Sequence, residues 1–163
     1  MSKHIDNIII DGARIIYRNF AGVESRYNRR GDRNFCVVID DESLVRELKK
    51  DGWNIKEITP MREGEKTTYY LQVKVNFNNK PPKIYLITDK AKVPLDEESV
   101  SSLDYADIVH VDVNISPFPY EMGGKSGISA YLQSMCVIQK SDPVADRYPN
   151  GYTPHDVLPF GNE

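Results

Sequence analysis

Residues 113–137 read Val-Asn-Ile-Ser-Pro-Phe-Pro-Tyr-Glu-Met-Gly-Gly-Lys-Ser-Gly-Ile-Ser-Ala-Tyr-Leu-Gln-Ser-Met-Cys-Val. The approach to this stretch alternates strictly: Val109, Val111, Val113 and Ile115 against His110, Asp112, Asn114 and Ser116. A period of two predicts a strand with one buried face. Phe118 and Tyr120 continue the polar parity, which places both rings on the exposed side. Gly123–Gly127 then predicts a turn into a last strand, where Ile128, Ala130, Leu132, Cys136 and Ile138 share a parity broken only by Ser134.

The same rhythm extends outward. Tyr69, Leu71, Val73, Val75 and Phe77 alternate with Tyr70, Gln72, Lys74 and Asn76, and further strands are expected at about 7–20, 34–40, 53–59 and 83–88. Two segments read as helices. Asp41-Glu42-Ser43 caps a run from Leu44 to Lys50 that Asp51-Gly52 stops, and Asp96-Glu97-Glu98-Ser99 precedes a short helix through about Tyr105. Seven short strands, two small helices and no βαβ rhythm point to an all-β barrel or sandwich. Periodicity ends after Lys140, and Pro143, Pro149, Gly151 and Pro154 break up the C-terminal stretch. The expected organisation is therefore a domain over 1–140 and an acidic, flexible tail over 141–163.

Composition narrows the function classes. The chain has 163 residues, 40% hydrophobic and 28% charged, which suits one globular domain with a real core. No apolar run reaches the length of a membrane span, and Met1–Asp6 holds no signal-peptide stretch, so a cytoplasmic location and no membrane partner are expected. Cys36 and Cys136 stand a hundred residues apart in apolar runs and read as packed, reduced thiols. His4, His110 and His155 are scattered without metal-ligand spacing, so no metal or cofactor is expected. The net charge of −3 is polarised. Asp142, Asp146, Asp156 and Glu163 face only Arg147 in the tail, while residues 14–33 hold Arg14, Arg18, Arg26, Arg29, Arg30 and Arg33 against Glu24 and Asp32.

Cations that track phosphates and rings that stack on bases are the two devices that hold a nucleic-acid single strand. Strand parity puts both types on the outer faces together: Tyr70 with Lys74, Lys83 with Tyr85, Tyr131, and Arg14 and Arg18 with Phe20. Phe118, Tyr120 and Lys125 join them from residues 113–137. Ser25-Arg26-Tyr27-Asn28-Arg29-Arg30-Gly31-Asp32-Arg33 reads as a mobile hairpin tip able to close over a strand, with Arg suited both to phosphate and to stacking. An isolated exposed tyrosine is ordinary surface, and an arginine-rich loop can be merely solvated. It is the recurrence of ring beside base on several strands that favours binding.

Signals for catalysis fail in turn. Gly123-Gly124-Lys125-Ser126-Gly127 resembles a phosphate loop, yet Pro119 stands where the leading glycine is required. The acidic clusters Asp40-Asp41-Glu42 and Asp96-Glu97-Glu98 fall at helix starts, where capping explains them. Asp112 is placed mid-strand with no evident acidic partner. No catalytic residue is expected. Two rivals stay open: a virion or host-interaction protein using the same Tyr and Arg surface, and a metal-dependent nuclease built from acids that parity misplaces.

Asn7–Phe20, Arg33–Ile39, Tyr69–Phe77, Pro81–Thr88 and above all residues 113–137, with Gly-Lys-Ser-Gly-Ile-Ser-Ala-Tyr-Leu at 124–132, resemble single-stranded DNA-binding proteins of bacteriophages. The resemblance covers about 7–140. It implies a mostly β chain with an OB-fold-like, five-stranded Greek-key barrel, additional strands and one or two short helices. It also implies a protein that coats single strands during phage replication, recombination and repair, whether as a monomer or an oligomer. Asp156-Val157-Leu158-Pro159-Phe160 is similar to the acidic tip of bacterial single-stranded DNA-binding proteins, ending in Asp-Ile-Pro-Phe, which docks replication and repair enzymes. Here a single acid precedes the apolar residues, and Gly161-Asn162-Glu163 come after them.

Overall fold

A computed structural model describes residues 5–140 except 79 and 90. Its largest feature is the pair of 15-residue strands β8 (Ile108–Met122) and β9 (Lys125–Gln139), which run antiparallel. Gly123 and Gly124 join them with φ of 59° and 81°. Both are left-handed, the requirement of a two-residue hairpin turn that glycine meets without a Cβ clash. Seven more strands complete one sheet: β1 (Ile8–Asp11), β2 (Arg14–Asn19), β3 (Arg33–Ile39), β4 (Ile55–Ile58), β5 (Thr68–Val75), β6 (Lys83–Ile87) and β7 (Lys92–Leu95). The path runs β1-β8-β9-β5-β3-β2, with β4 on β5 and the β6–β7 hairpin on β9.

The fold class is as expected, with one difference: β1 and β2 stand at opposite ends of the path, so the sheet does not close into a ring. β9 is the hinge of the arrangement. Its first half pairs in parallel with β5 at Val73↔Ala130 and Lys74↔Tyr131, and its second half with β6 from Lys83↔Ser134 to Ile87↔Ile138.

The change of partner falls at a bulge. Asn114 faces Ser134 while Ile115 faces Leu132, which leaves Gln133 as an extra residue. One inserted residue moves every later side chain to the other face. Met135 and Val137 therefore enter the core, and Cys136 and Ile138, expected inside, turn outward. A second bulge skips Val109 and leaves it 65% exposed, although parity assigned it to the core. A third irregularity, between Ile16 and Asn19, reverses the end of β2. Phe20, expected outward beside Arg18, is instead fully buried and stacks on Phe35 at 5.0 Å.

The core joins Phe20, Phe35 and Val37 to Leu71, Val73, Val111, Val113, Ile115, Ile128, Leu132 and Val137. The helix α1 (Glu42–Asp51) forms where its cap predicts, with the Asp41 carboxylate accepting from Ser43 N and Leu44 N. Val45 and Leu48 bury its inner face. Beyond it Gly52 accepts a 2.9 Å hydrogen bond from Ile128 N, and buried Trp53 bridges to the same residue, so the helix end is tied to the start of β9. The second expected helix is only a 3-10 turn, Val100–Asp104. Asp96 spends its carboxylate on Ser99 and Glu98, and the Ser99 hydrogen bonds hold its pKa below the usual carboxylate range.

Candidate nucleic-acid interface

Outward parity on three neighbouring strands brings a set of rings and polar side chains together. On β8 these are Ser116, Phe118, Tyr120 and Met122; on β9, Ser129 and Tyr131; on β5, Gln72 and Lys74. Three shallow grooves meet at Tyr131. The first leads past Lys74 and Asn34 to Tyr27, Arg29 and Arg33. The second passes Phe118 and Tyr120 toward Lys56 and Met122. The third leads past Phe118 and Gln133 to Lys80 and Lys83. Tyr131 is half-buried, with Phe118 edge-on at 5.6 Å and the Lys74 ammonium 5.7 Å from its ring centre. Phe118 itself is 58% exposed, so a flat apolar ligand can reach it.

Tyr120 is held by its partners. Its hydroxyl lies 3.2 Å from Asn54 Nδ2, and its ring lies across Gly127, its cross-strand neighbour. A Cβ on Gly127 would come within 2.7 Å of the Tyr120 Oη and 2.9 Å of its Cζ. Glycine at this position is what lets the ring lie flat on the sheet.

The arginine-rich segment is built differently. Asn28 sits at its centre, its amide donating to Val23 O, Arg29 O and Asp32 O, while Ser25 and Asn28 exchange backbone bonds. The expected open hairpin tip is thus a loop wound round one asparagine. Its arginines divide. Arg33 donates to Phe20 O at 2.7 Å, lies 3.9 Å from Glu97 and packs over Phe77, so much of it serves the fold. Arg18 donates to Leu103 O and Ala106 O, both at 2.8 Å, pinning the 3-10 turn to β2. Arg26, Arg29 and Arg30 are exposed, Arg26 over the ring of Tyr27, and of these three only Arg29 lines the first groove.

The remaining expected residues lie further out. Arg14 and Tyr70 occupy the outer face beyond Gln72, and Lys125 is exposed at the hairpin tip. Tyr85 lies off the grooves, with the Lys92 ammonium 4.4 Å over its ring. Phe20 has no exposed surface, so the stacking role expected for it gives way to a core role. Residues 141–163, with Asp156, Leu158, Pro159 and Phe160, lie outside the described residues.

Sequence reasoning missed Asn54, Lys56, Lys80 and Met122. Met122 was within reach, since it continues the parity of Phe118 and Tyr120. Asn54 carried no signal, because only the fold brings it to Tyr120. The acids have other partners: Asp112 Oδ1 accepts from Gly12 N and faces His110 Nε2 at 2.8 Å, while Asp104 accepts from Phe20 N and Ala21 N. Among the described residues no three His, Cys, Asp or Glu side chains come together as a metal site. Both cysteines are free thiols, and burial pushes Cys36 up to about 11. No described helix is long and apolar enough to cross a membrane.

No curated protein matches the sequence. Among solved structures, the chain is similar to the single-stranded DNA-binding protein from bacteriophage Enc34 in complex with ssDNA, with a TM-score of 0.55 and 11% identity over 87% of this chain and 96% of that one. Another structure of the Enc34 protein aligns with a TM-score of 0.52 and 13% identity, over 96% of each chain. At such identities the likeness establishes the fold, an OB-type architecture. The sequence carries the affiliation: residues 1–157 match the phage ssDNA-binding domain, and the chain belongs to that family.

Proposed function

We propose that the chain coats single-stranded DNA with little sequence preference, the strand lying in the grooves that converge on Tyr131. The observation that carries this reading is the cluster at their meeting point, where one half-buried ring has a second ring at its edge and an ammonium over its face. Any base offers a π face to such a ring, so stacking is tolerant of sequence, and the adjacent cation meets the phosphate. Phe118 and Tyr120 extend the stacking surface, and Arg29, Lys56, Lys80 and Lys83 carry positive charge outward along the grooves. Arg14, Arg26, Arg30 and Lys125 add to the field from the periphery.

On this reading the protein acts in the cytoplasm of a bacterial host, on strands exposed by phage replication, recombination or repair. Residues 141–163 form a separate acidic segment that docks a replication or recombination enzyme through Asp156, Leu158, Pro159 and Phe160. Binding needs no cofactor and no catalytic group. Fluorescence anisotropy with a labelled poly-dT strand tests it. Affinity should fall with salt on a log–log plot by about 0.7 per phosphate neutralised, and a mixed-sequence strand should bind comparably. Binding indifferent to salt, or confined to one sequence, overturns the reading.

A further inference from the structure

Tyr17 is one of two non-glycine residues among those described that have positive φ, at +51°. It stands in the irregular stretch of β2 between Ile16 and Asn19. A bulky side chain in left-handed backbone is strained, and such strain, held in place by the surrounding structure, clusters at functional sites. Tyr17 is nevertheless 62% exposed, so core packing does not explain its position. Its ring meets Tyr70 edge-on at 5.8 Å.

The surroundings form a built surface. Arg14, Val38, Tyr70 and Lys56 are successive cross-strand neighbours on one row of the sheet. Cys36 and Val38 have the parity opposite to the core residues Phe35 and Val37, yet each keeps only 5% of its surface. The tyrosine pair thus stands on a closed apolar floor, with exposed cations at both ends of the row. Burial, as the largest cause, also pushes the Tyr70 pKa up. This row is continuous with the Tyr131 grooves: Tyr70 and Lys74 share outward parity on β5, about 13 Å apart at 3.3 Å per residue, and Gln72 between them lines two of the grooves.

We infer that Tyr17 and Tyr70 form a second stacking platform, which takes the bases of single-stranded DNA that leave the Tyr131 grooves toward β2. The inference rests on the proposed function and extends it by naming the direction of the strand and the residue that receives it. Continuity with the grooves and the flanking Arg14 and Lys56 select a polyanion with flat bases as the occupant. The strained backbone of Tyr17 is then explained as the means of holding a ring outward at the edge of the sheet.

Tyr17→Gly provides the test, because glycine accepts the same φ and removes only the ring. Binding is measured to dT strands of about 4 and about 16 nucleotides, the ends of the range for one OB fold. The variant should bind the long strand roughly 5- to 150-fold more weakly, the range of one stacked base, bind the short strand as before, and melt no lower than the parent. Tyr17→Phe should bind both strands normally. An equal loss on both strands, or on neither, overturns the second platform. Tyr131→Ala, run alongside, should weaken both. If it weakens neither, the groove reading falls on its own, whatever Tyr17 shows.

Discussion

The Tyr131 grooves and the arginine-rich segment of residues 14–33 both looked suited to nucleic acid, yet they are organised on opposite plans. In the grooves, the rings of Phe118, Tyr120 and Tyr131 project from the strands; Phe118 meets Tyr131 edge-on, Lys74 stands over Tyr131, and Tyr120 lies across Gly127 beside Asn54. Their contacts leave faces free. In the segment, Phe20 has left the surface altogether, and Arg33 and Arg18 are committed to backbone carbonyls. Residue type alone does not separate a ligand-facing group from a structural one. The separation lies in where backbone regularity ends: outward parity holds along β8 from His110 onward and along the first half of β9, and fails at the irregularity in β2.

The largest effect should come from the side of the comparison that carries the fold. Phe20→Ala removes a fully buried ring stacked on Phe35, at a cost of about 3–5 kcal/mol of stability, or a melting temperature lower by roughly 10 °C. Arg33→Ala leaves Phe20 O without its 2.7 Å donor and should cost about 1–3 kcal/mol. The Phe20→Ala protein, assayed where it remains folded, should bind DNA nearly as the parent does, whereas Arg33→Ala, at a residue that also lines the first groove, should lose at most one phosphate's worth of salt dependence. A Phe20→Ala protein that melts normally and binds weakly would show that the ring faces outward in solution, and the contrast would collapse.

Tyr131→Ala should do the reverse. It should weaken binding by about 1–3 kcal/mol per stacked base and lower the melting temperature little, since the ring is only half-buried. Isothermal titration beside a thermal melt reads both quantities from one preparation. Lost stability with retained affinity would make Tyr131 a packing residue.

The loop then divides within itself. Arg29 lines the first groove and Arg30 does not. Arg29→Ala should therefore flatten the salt dependence of binding by about 0.7, one phosphate's worth, and Arg30→Ala by clearly less. Equal slopes for the two would mean that the loop acts as a diffuse charge and that the groove geometry there is incidental.

These contrasts show what the sequence could disclose. The β8–β9 hairpin, α1 with its Asp41 cap, and the outward placing of Phe118, Tyr120 and Tyr131 were legible because periodicity, capping and glycine turns are local signals. Phe20, Val109, Met135 and Val137 were misplaced because a bulge adds a residue without leaving a mark in composition. β7 escaped notice because Pro94 interrupts a four-residue strand that exists through its pairing with β6. Asn54 meets Tyr120 across 66 positions of sequence, and no local pattern encodes that distance. Tyr17 was hidden by the same irregularity that moved Phe20 inward.

The smallest effect concerns residues 141–163, which carry four acids against one base. If that segment competes with DNA for the cations of the binding face, tethering gives it a high effective concentration there. If its acids act through charge, it should lower the charge component of binding and leave the stacking component alone. Truncation after Lys140 should accordingly raise affinity a few-fold at about 0.01 M salt, where the screening length is about 30 Å, and hardly at all at 0.15 M, where it is about 8 Å. If the competition is electrostatic, Arg29→Ala with Arg30→Ala should shrink the gain from truncation, whereas Tyr131→Ala should preserve it as a ratio. Anisotropy titrations of the parent, the arginine double variant and Tyr131→Ala, each with and without the tail, decide the matter at both salt concentrations. A truncated protein that binds no tighter at low salt ends the idea of competition. A gain that vanishes with Tyr131→Ala and survives loss of the arginines would place the tail on the rings, and would assign the contest for the binding face to stacking and not to charge.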